Sequence, residues 1–109
     1  MNRLVISAAA RRDIANALQH SAQRWGPAQR RQYRLLIEHT LADLLDNPQH
    51  PASRPRDEIR PGIRTLHIAR PGRPARHLIA YRCAEDGDLH VIRLVHDAMD
   101  LSRALAQAP

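Results

Sequence analysis

Two long helical periods meet at Gly26-Pro27 with no linker between them, and this junction restricts the fold more than any other stretch of the chain. Before it, Ala10, Ile14, Ala17, Leu18, Ser21 and Trp25 recur at i, i+4, i+7, i+8, i+11 and i+15, one stripe of a helix for which Ser7 is a suitable N-cap. After it, Tyr33, Leu36, Ile37, Thr40, Leu41 and Leu44 form a second stripe that Asn47-Pro48 brings to a stop. Gly26 can turn the chain, and Pro27 is preset for the first position of a new helix. Two helices joined this closely pack as an antiparallel hairpin.

The rest of the chain reads as strands. Leu4, Val5 and Ile6 make an apolar run long enough for a buried strand and too short for a helix. From Pro48 to Pro61 the sequence is rich in Pro and Arg and has no period, so a loop is expected. Three strand-like segments follow, Ile63–Ala69, His77–Cys83 and Leu89–Val95, connected by RPGRPAR and by a hairpin turn on Asp86-Gly87. Connections this short make the three strands antiparallel neighbours. In the last of them, strict alternation sends Leu89, Val91 and Val95 to one face and Ile92 and Leu94 to the other, as in a central strand.

The stretch RLVHDAMD, Arg93 to Asp100, joins that strand to a terminal helix. Asp97 is placed to cap the helix, with Asp100 in the first turn and Ala98, Leu101 and Leu105 as its apolar stripe over about nine residues. His96 is then a strand-end histidine. The resulting order is βααβββα.

Composition narrows the function classes. At 109 residues and 43% hydrophobic, the chain 1–109 is expected to be a single domain with its own core. No membrane span or signal peptide is readable, so a cytoplasmic protein is the default. Cys83 has no internal disulfide partner and is expected to be a small buried hydrophobe. All 17 basic residues are arginines and the net charge is +6, which points to an acidic partner. Aromatics are only 3%, against the stacking platforms that read single-stranded nucleic acid. The histidines are not paired at metal-ligand spacing, and His90 and His96, on one strand face by strict alternation, stand about 20 Å apart at 3.3 Å per residue. No metal or cofactor is implied.

Four pieces carry a family resemblance: SAAARRDIANALQHSAQRWG (Ser7 to Gly26), Gly62-Ile63-Arg64 opening the meander, HLIAYR (His77 to Arg82), and VIRLVHDAMD (Val91 to Asp100). In this order and spacing the chain resembles the RelE/ParE superfamily of toxins from type II toxin–antitoxin systems, and within it the ParE branch. The resemblance implies an α+β fold: an N-terminal strand, an antiparallel helical hairpin, a three-stranded antiparallel meander and a short C-terminal helix, with the helices packed on one mainly antiparallel sheet. It also implies a toxin that poisons DNA gyrase and is neutralised by a small antitoxin. RPGRPAR is longer than the family pattern.

The expected gyrase contacts are Arg93, His96 and Met99, with the Trp25-Gly26 end of the hairpin next in line. For an antitoxin with an acidic C-terminal segment, Arg64, Arg76 and Arg82 are the expected contacts, forming charge-assisted Arg–carboxylate bonds. The second reading is a RelE-like, ribosome-dependent endoribonuclease, which needs a base, a phosphate-holding cation and an acid. Arg82, Arg93, His96 and Tyr81 head that list, with Arg64, His77 and Glu58 behind them. The resemblance weighs against it, since RelE-like nucleases lean on lysines and a C-terminal Tyr, while this chain has no Lys and no aromatic residue after Tyr81. The clusters Arg30-Arg31-Arg34 and Arg54-Arg56-Arg60-Arg64 read as solvated basic faces, and direct nucleic-acid binding is not expected.

Overall fold

A computed structural model describes residues 3–106. The elements are β1 (Leu4–Ile6), α1 (Ala8–Trp25), α2 (Pro27–Asp46), β2 (Arg54–Pro55), β3 (Arg64–His67), β4 (His77–Cys83), β5 (Leu89–His96) and α3 (Leu101–Ala106). The five strands form one sheet in the order β1-β5-β4-β3-β2. β1 runs parallel to β5 and the other pairs are antiparallel. β2 was not expected: Arg54 and Pro55 lie in the Pro-rich stretch read as a loop, and Pro is tolerated there because the pair forms the sheet's outer edge.

The hairpin forms as its periods dictate. Ser7 Oγ accepts from the Ala10 amide at 3.0 Å to cap α1, and Gly26, at φ 91, makes the turn that Pro27 follows into α2. The facing stripes, with Leu18, Leu36, Ile37, Leu41 and Leu44, bury themselves on one face of the sheet against Leu66, Ile79, Tyr81, Leu89, Val91 and Leu94. The other face carries a smaller cluster of Ile63, Ala80, Ile92 and Leu105, so α3 forms a third layer opposite the hairpin. Leu105 is fully buried there.

Three sequence expectations need correcting. A β-bulge interrupts β5: Tyr81 pairs with Val91 and Ala80 with Arg93, leaving Ile92 unpaired. Alternation therefore shifts by one residue, so Leu94 joins Leu89 and Val91 in the hairpin core while Ile92 faces α3. By the same shift, His90 and His96 lie on opposite faces rather than one. Second, the terminal helix spans six residues and begins later than the sequence suggests, capped by Asp100, whose carboxylate accepts from the Arg103 amide at 3.3 Å. Asp97 is held by His67 and Arg76 in the preceding turn. Third, Cys83 is exposed, because it ends β4 beyond the packed part of the sheet. Partial burial still raises its pKa, with Arg64 opposing the shift, so it stays a thiol.

β1 covers β5 only as far as Val91. Beyond it, the exposed edge is satisfied from α1: Ser7 Oγ donates to the Ile92 carbonyl at 2.7 Å, and Asp13 Oδ2 accepts from the Leu94 amide at 3.1 Å. Asp13 also receives the Arg93 guanidinium at 2.6 and 3.1 Å, and Arg93 Nη1 donates to the Ala104 carbonyl of α3 at 3.3 Å. One arginine thus links the layers on both sides of the sheet. Asp13→Ala would strand a half-buried guanidinium and a strand amide together, and is expected to lower the unfolding free energy by about 2–4 kcal/mol. Asp13→Asn, which keeps an acceptor, should cost less. Urea titrations of the three proteins measure both values.

Candidate functional site

Where β4 begins and β5 ends, His77 and His96 face each other directly across the ladder, their rings edge to face with centroids 5.3 Å apart. Tyr33 on α2 closes over them. Its hydroxyl accepts from the Arg76 amide at 3.0 Å and lies 2.5 Å from His77 Nδ1. Burial, reinforced by the neighbouring His96, lowers the His77 pKa to about 4, so the ring is neutral and Nδ1 accepts the Tyr33 proton, leaving Nε2 as the N–H. Burial also raises the Tyr33 pKa, which keeps that proton on the phenol. His96 Nδ1 accepts from the Ala98 amide at 3.0 Å. Both imidazoles thus have Nδ1 engaged by a donor.

Asp97 locks the rim. It accepts from His67 Nε2 at 3.1 Å and from Arg76 Nη2 at 3.2 Å, while its own amide donates to the Arg76 carbonyl at 2.7 Å. The His67 hydrogen bond is the largest reason its carboxyl pKa is lowered, with the Arg76 charge adding to it. RPGRPAR is tied back onto α2, through Arg70 to Asp43 and Arg73 to Gln32, and its end forms one wall of the site.

Two adjoining cavities open here. The first, about 380 Å³, lies between the C-terminal half of α1, the start of α2 and residues 74–77. The second, about 360 Å³, is lined by Asp13, His20, Arg93, His96 and Met99 among others. They share Ala17, His20, His77 and His96.

All three expected gyrase contacts, Arg93, His96 and Met99, therefore line one concave patch. Met99 is 49% exposed, whereas Arg93 is already paired with Asp13. The expected antitoxin contacts do not converge. Arg76 sits at the first cavity, six strand residues or about 20 Å from Arg82. Arg64, opposite Tyr81 on the hairpin side, donates to Ser53, and Arg82 lies on the other face. The nuclease set is also dispersed. Tyr81 is fully buried with its hydroxyl bonded to Ser53 and the Pro48 carbonyl, and Glu58 is beside Arg56 on the far loop.

Sequence reading missed three contributors: Tyr33, counted as core; Arg24, which stacks on Trp25 at 5.5 Å from the ring centroid; and the wall made by the end of RPGRPAR. The first two had a signal, being polar or charged groups on the turns flanking Gly26-Pro27. Among the described residues, no group of three or more His, Cys, Asp or Glu side chains is placed to hold a metal ion, and no helix is long and apolar enough to cross a membrane.

Comparison with known proteins gives a consistent result. Residues 4–101 match the family model for the ParE toxin of the type II toxin–antitoxin system parDE. The chain is 32% identical over 104 residues to Toxin ParE1 of Mycobacterium tuberculosis, in strains CDC 1551 and H37Rv, covering 95% of this chain and 98% of the relative. A solved chain from the chromosomal ParDE system of P. aeruginosa superposes with a TM-score of 0.72 at 21% identity, covering 88% of this chain and 96% of that one, a likeness of fold.

The neutral His77 makes stability depend on pH. Between the ordinary imidazole value of 6.5 and about 4, the unfolded chain takes up a proton that the folded site refuses. Stability contributed by His77 is therefore complete above this window and is lost as pH falls through it, at no more than about 1.4 kcal/mol per pH unit. His77→Gln can still accept from Tyr33 and should flatten this part of the curve. Denaturant titrations from about pH 7 to about pH 4.5 compare the two slopes.

Proposed function

The chain belongs to the ParE toxin family of type II toxin–antitoxin systems, and from that premise we propose that it arrests growth in the cytoplasm by inhibiting DNA gyrase, and that a ParD-like antitoxin with an acidic C-terminal segment neutralises it. The observation that carries this reading is the patch on which Arg93, His96 and Met99 meet. It offers an exposed, flexible thioether beside cationic and imidazole groups, a surface suited to gripping a protein. It offers little for acid–base chemistry. His77 and His96 each use Nδ1, the basic nitrogen of the Nε2–H tautomer, to accept a hydrogen bond and so offer no free base. Tyr33 is committed on both sides, Arg93 is paired with Asp13, and arginine is a poor proton donor. The reading therefore favours recognition over bond cleavage. An arginine-only set of cations also suits the carboxylates of an acidic antitoxin, which arginine binds in bidentate fashion.

Purified protein is expected to inhibit gyrase supercoiling and to leave ribosome-bound mRNA intact. Met99→Ala should shift the melting temperature by no more than about 3 °C and weaken gyrase inhibition several-fold. Ribosome-dependent mRNA cleavage that disappears in His96→Ala would replace gyrase by RNA as the target. Full inhibition by Met99→Ala would move the contact surface elsewhere.

A further inference from the structure

The first cavity is built unlike a gap between packed elements. Its walls are mostly apolar, from Ala17, Pro74 and Ala75, and an indole stands at its mouth, with Trp25 66% exposed. Arg24 and Arg76 stand beside it, Arg24 over the indole face and Arg76 with 67% of its side chain exposed although its Nη2 is held by Asp97, and no carboxylate is among the lining residues themselves. Ser21, one of the lining residues, is 6% exposed, yet its hydroxyl has no hydrogen-bond partner. A buried hydroxyl left unpaired costs the fold and is normally satisfied by protein or ligand.

We propose that this cavity is the seat of an acidic peptide, taking one apolar side chain between Ala17, Ala75 and Trp25 while flanking carboxylates pair with Arg24 and Arg76 and a backbone group of the peptide satisfies Ser21. The size fits: about 380 Å³ holds one large side chain and the backbone around it, far short of a folded partner. The apolar walls favour an aliphatic or aromatic anchor, and the paired cations at the mouth select acidic neighbours.

Ala17, His20, His77 and His96 border both cavities, so a peptide seated in the first crowds the patch of Arg93, His96 and Met99. Identifying this peptide with the antitoxin's acidic segment rests on the function proposed above, and neutralisation then follows from overlap of the two surfaces, without a change of fold. The preference for an acidic peptide stands apart from that identification.

Trp25 is the chain's single tryptophan, so its emission reports on this site alone. The probes are three capped pentapeptides: Glu-Asp-Leu-Glu-Asp, the same with the central Leu replaced by Ser, and the uncharged Gln-Asn-Leu-Gln-Asn. The first should give a saturable blue shift, and the other two should bind about tenfold more weakly or less. Arg24→Gln and Arg76→Gln should each weaken the first peptide at least about fivefold. Ser21→Ala should weaken it while leaving the melting temperature unchanged or higher, which a merely structural hydroxyl would not do. Equal binding of the Leu and Ser peptides, which marks diffuse charge attraction, or binding unaffected by both arginine changes, overturns the proposal. A gyrase assay with the first peptide separates the two readings. Relief of inhibition supports both; peptide binding by a protein that never inhibits gyrase keeps the pocket and removes the target; inhibition without peptide binding does the reverse.

Discussion

β1 is three residues long and β5 is eight, so more than half of the sheet's parallel neighbour is missing. A strand edge left open in this way carries unpaired backbone groups, and these must be satisfied or hydrated. The chain satisfies them with the helix that follows β1 directly. Ser7 serves twice, capping α1 with one lone pair and donating its proton to the Ile92 carbonyl. Asp13, two turns on, does the work of a missing strand at Leu94 and holds Arg93 as well. The start of α1 is thereby fixed to the sheet by directional bonds as well as by packing.

What lies at the other end of the hairpin inherits that placement. With α1 pinned at Ser7 and Asp13, its second half passes over the start of β4, and Gly26 returns α2 so that Tyr33 meets His77. The Tyr33–His77 bond needs a neutral imidazole, which burial provides, and a phenol that is also an acceptor, which the Arg76 amide requires. Arg76 and Asp97 then join the beginning of β4 to the end of β5. A short chain thus obtains a recess whose polar groups are tied to one another and whose rim carries arginine.

Much of this was legible in the residues. Both helices, their turn and four of the five strands follow from apolar runs, periods and punctuation, because the apolar stripe of a helix and the alternation of a strand are set by the backbone alone. β2 escaped because two residues, one of them Pro, carry no period. The onset of α3 was misread because Asp97 and Asp100 are both good caps, and the choice was made by His67 and Arg76, distant in sequence, which engage Asp97 first. At the site, the grouping of Arg93, His96 and Met99 was visible as a local run, whereas Arg64, Arg76 and Arg82 were grouped by charge alone and the sheet sets them far apart. The wall that the end of RPGRPAR gives the first cavity was unreadable, since this segment acquires its position only through Asp43 and Gln32 on α2.

The bulge in β5 has a meaning in terms of chain length. Ala80 and Tyr81 are adjacent, and their partners Arg93 and Val91 are separated only by Ile92. Removing Ile92 would leave a regular ladder with Arg93 still opposite Ala80 and Leu94 still under the hairpin. Only the cluster beneath α3 would be short of a member, its single contribution from β5. The extra residue therefore gives two consecutive side chains to one face, an apolar one for the third layer and a charged one for the edge. One residue in length thus adds a side chain to the layer under α3 without disturbing the register that serves the hairpin.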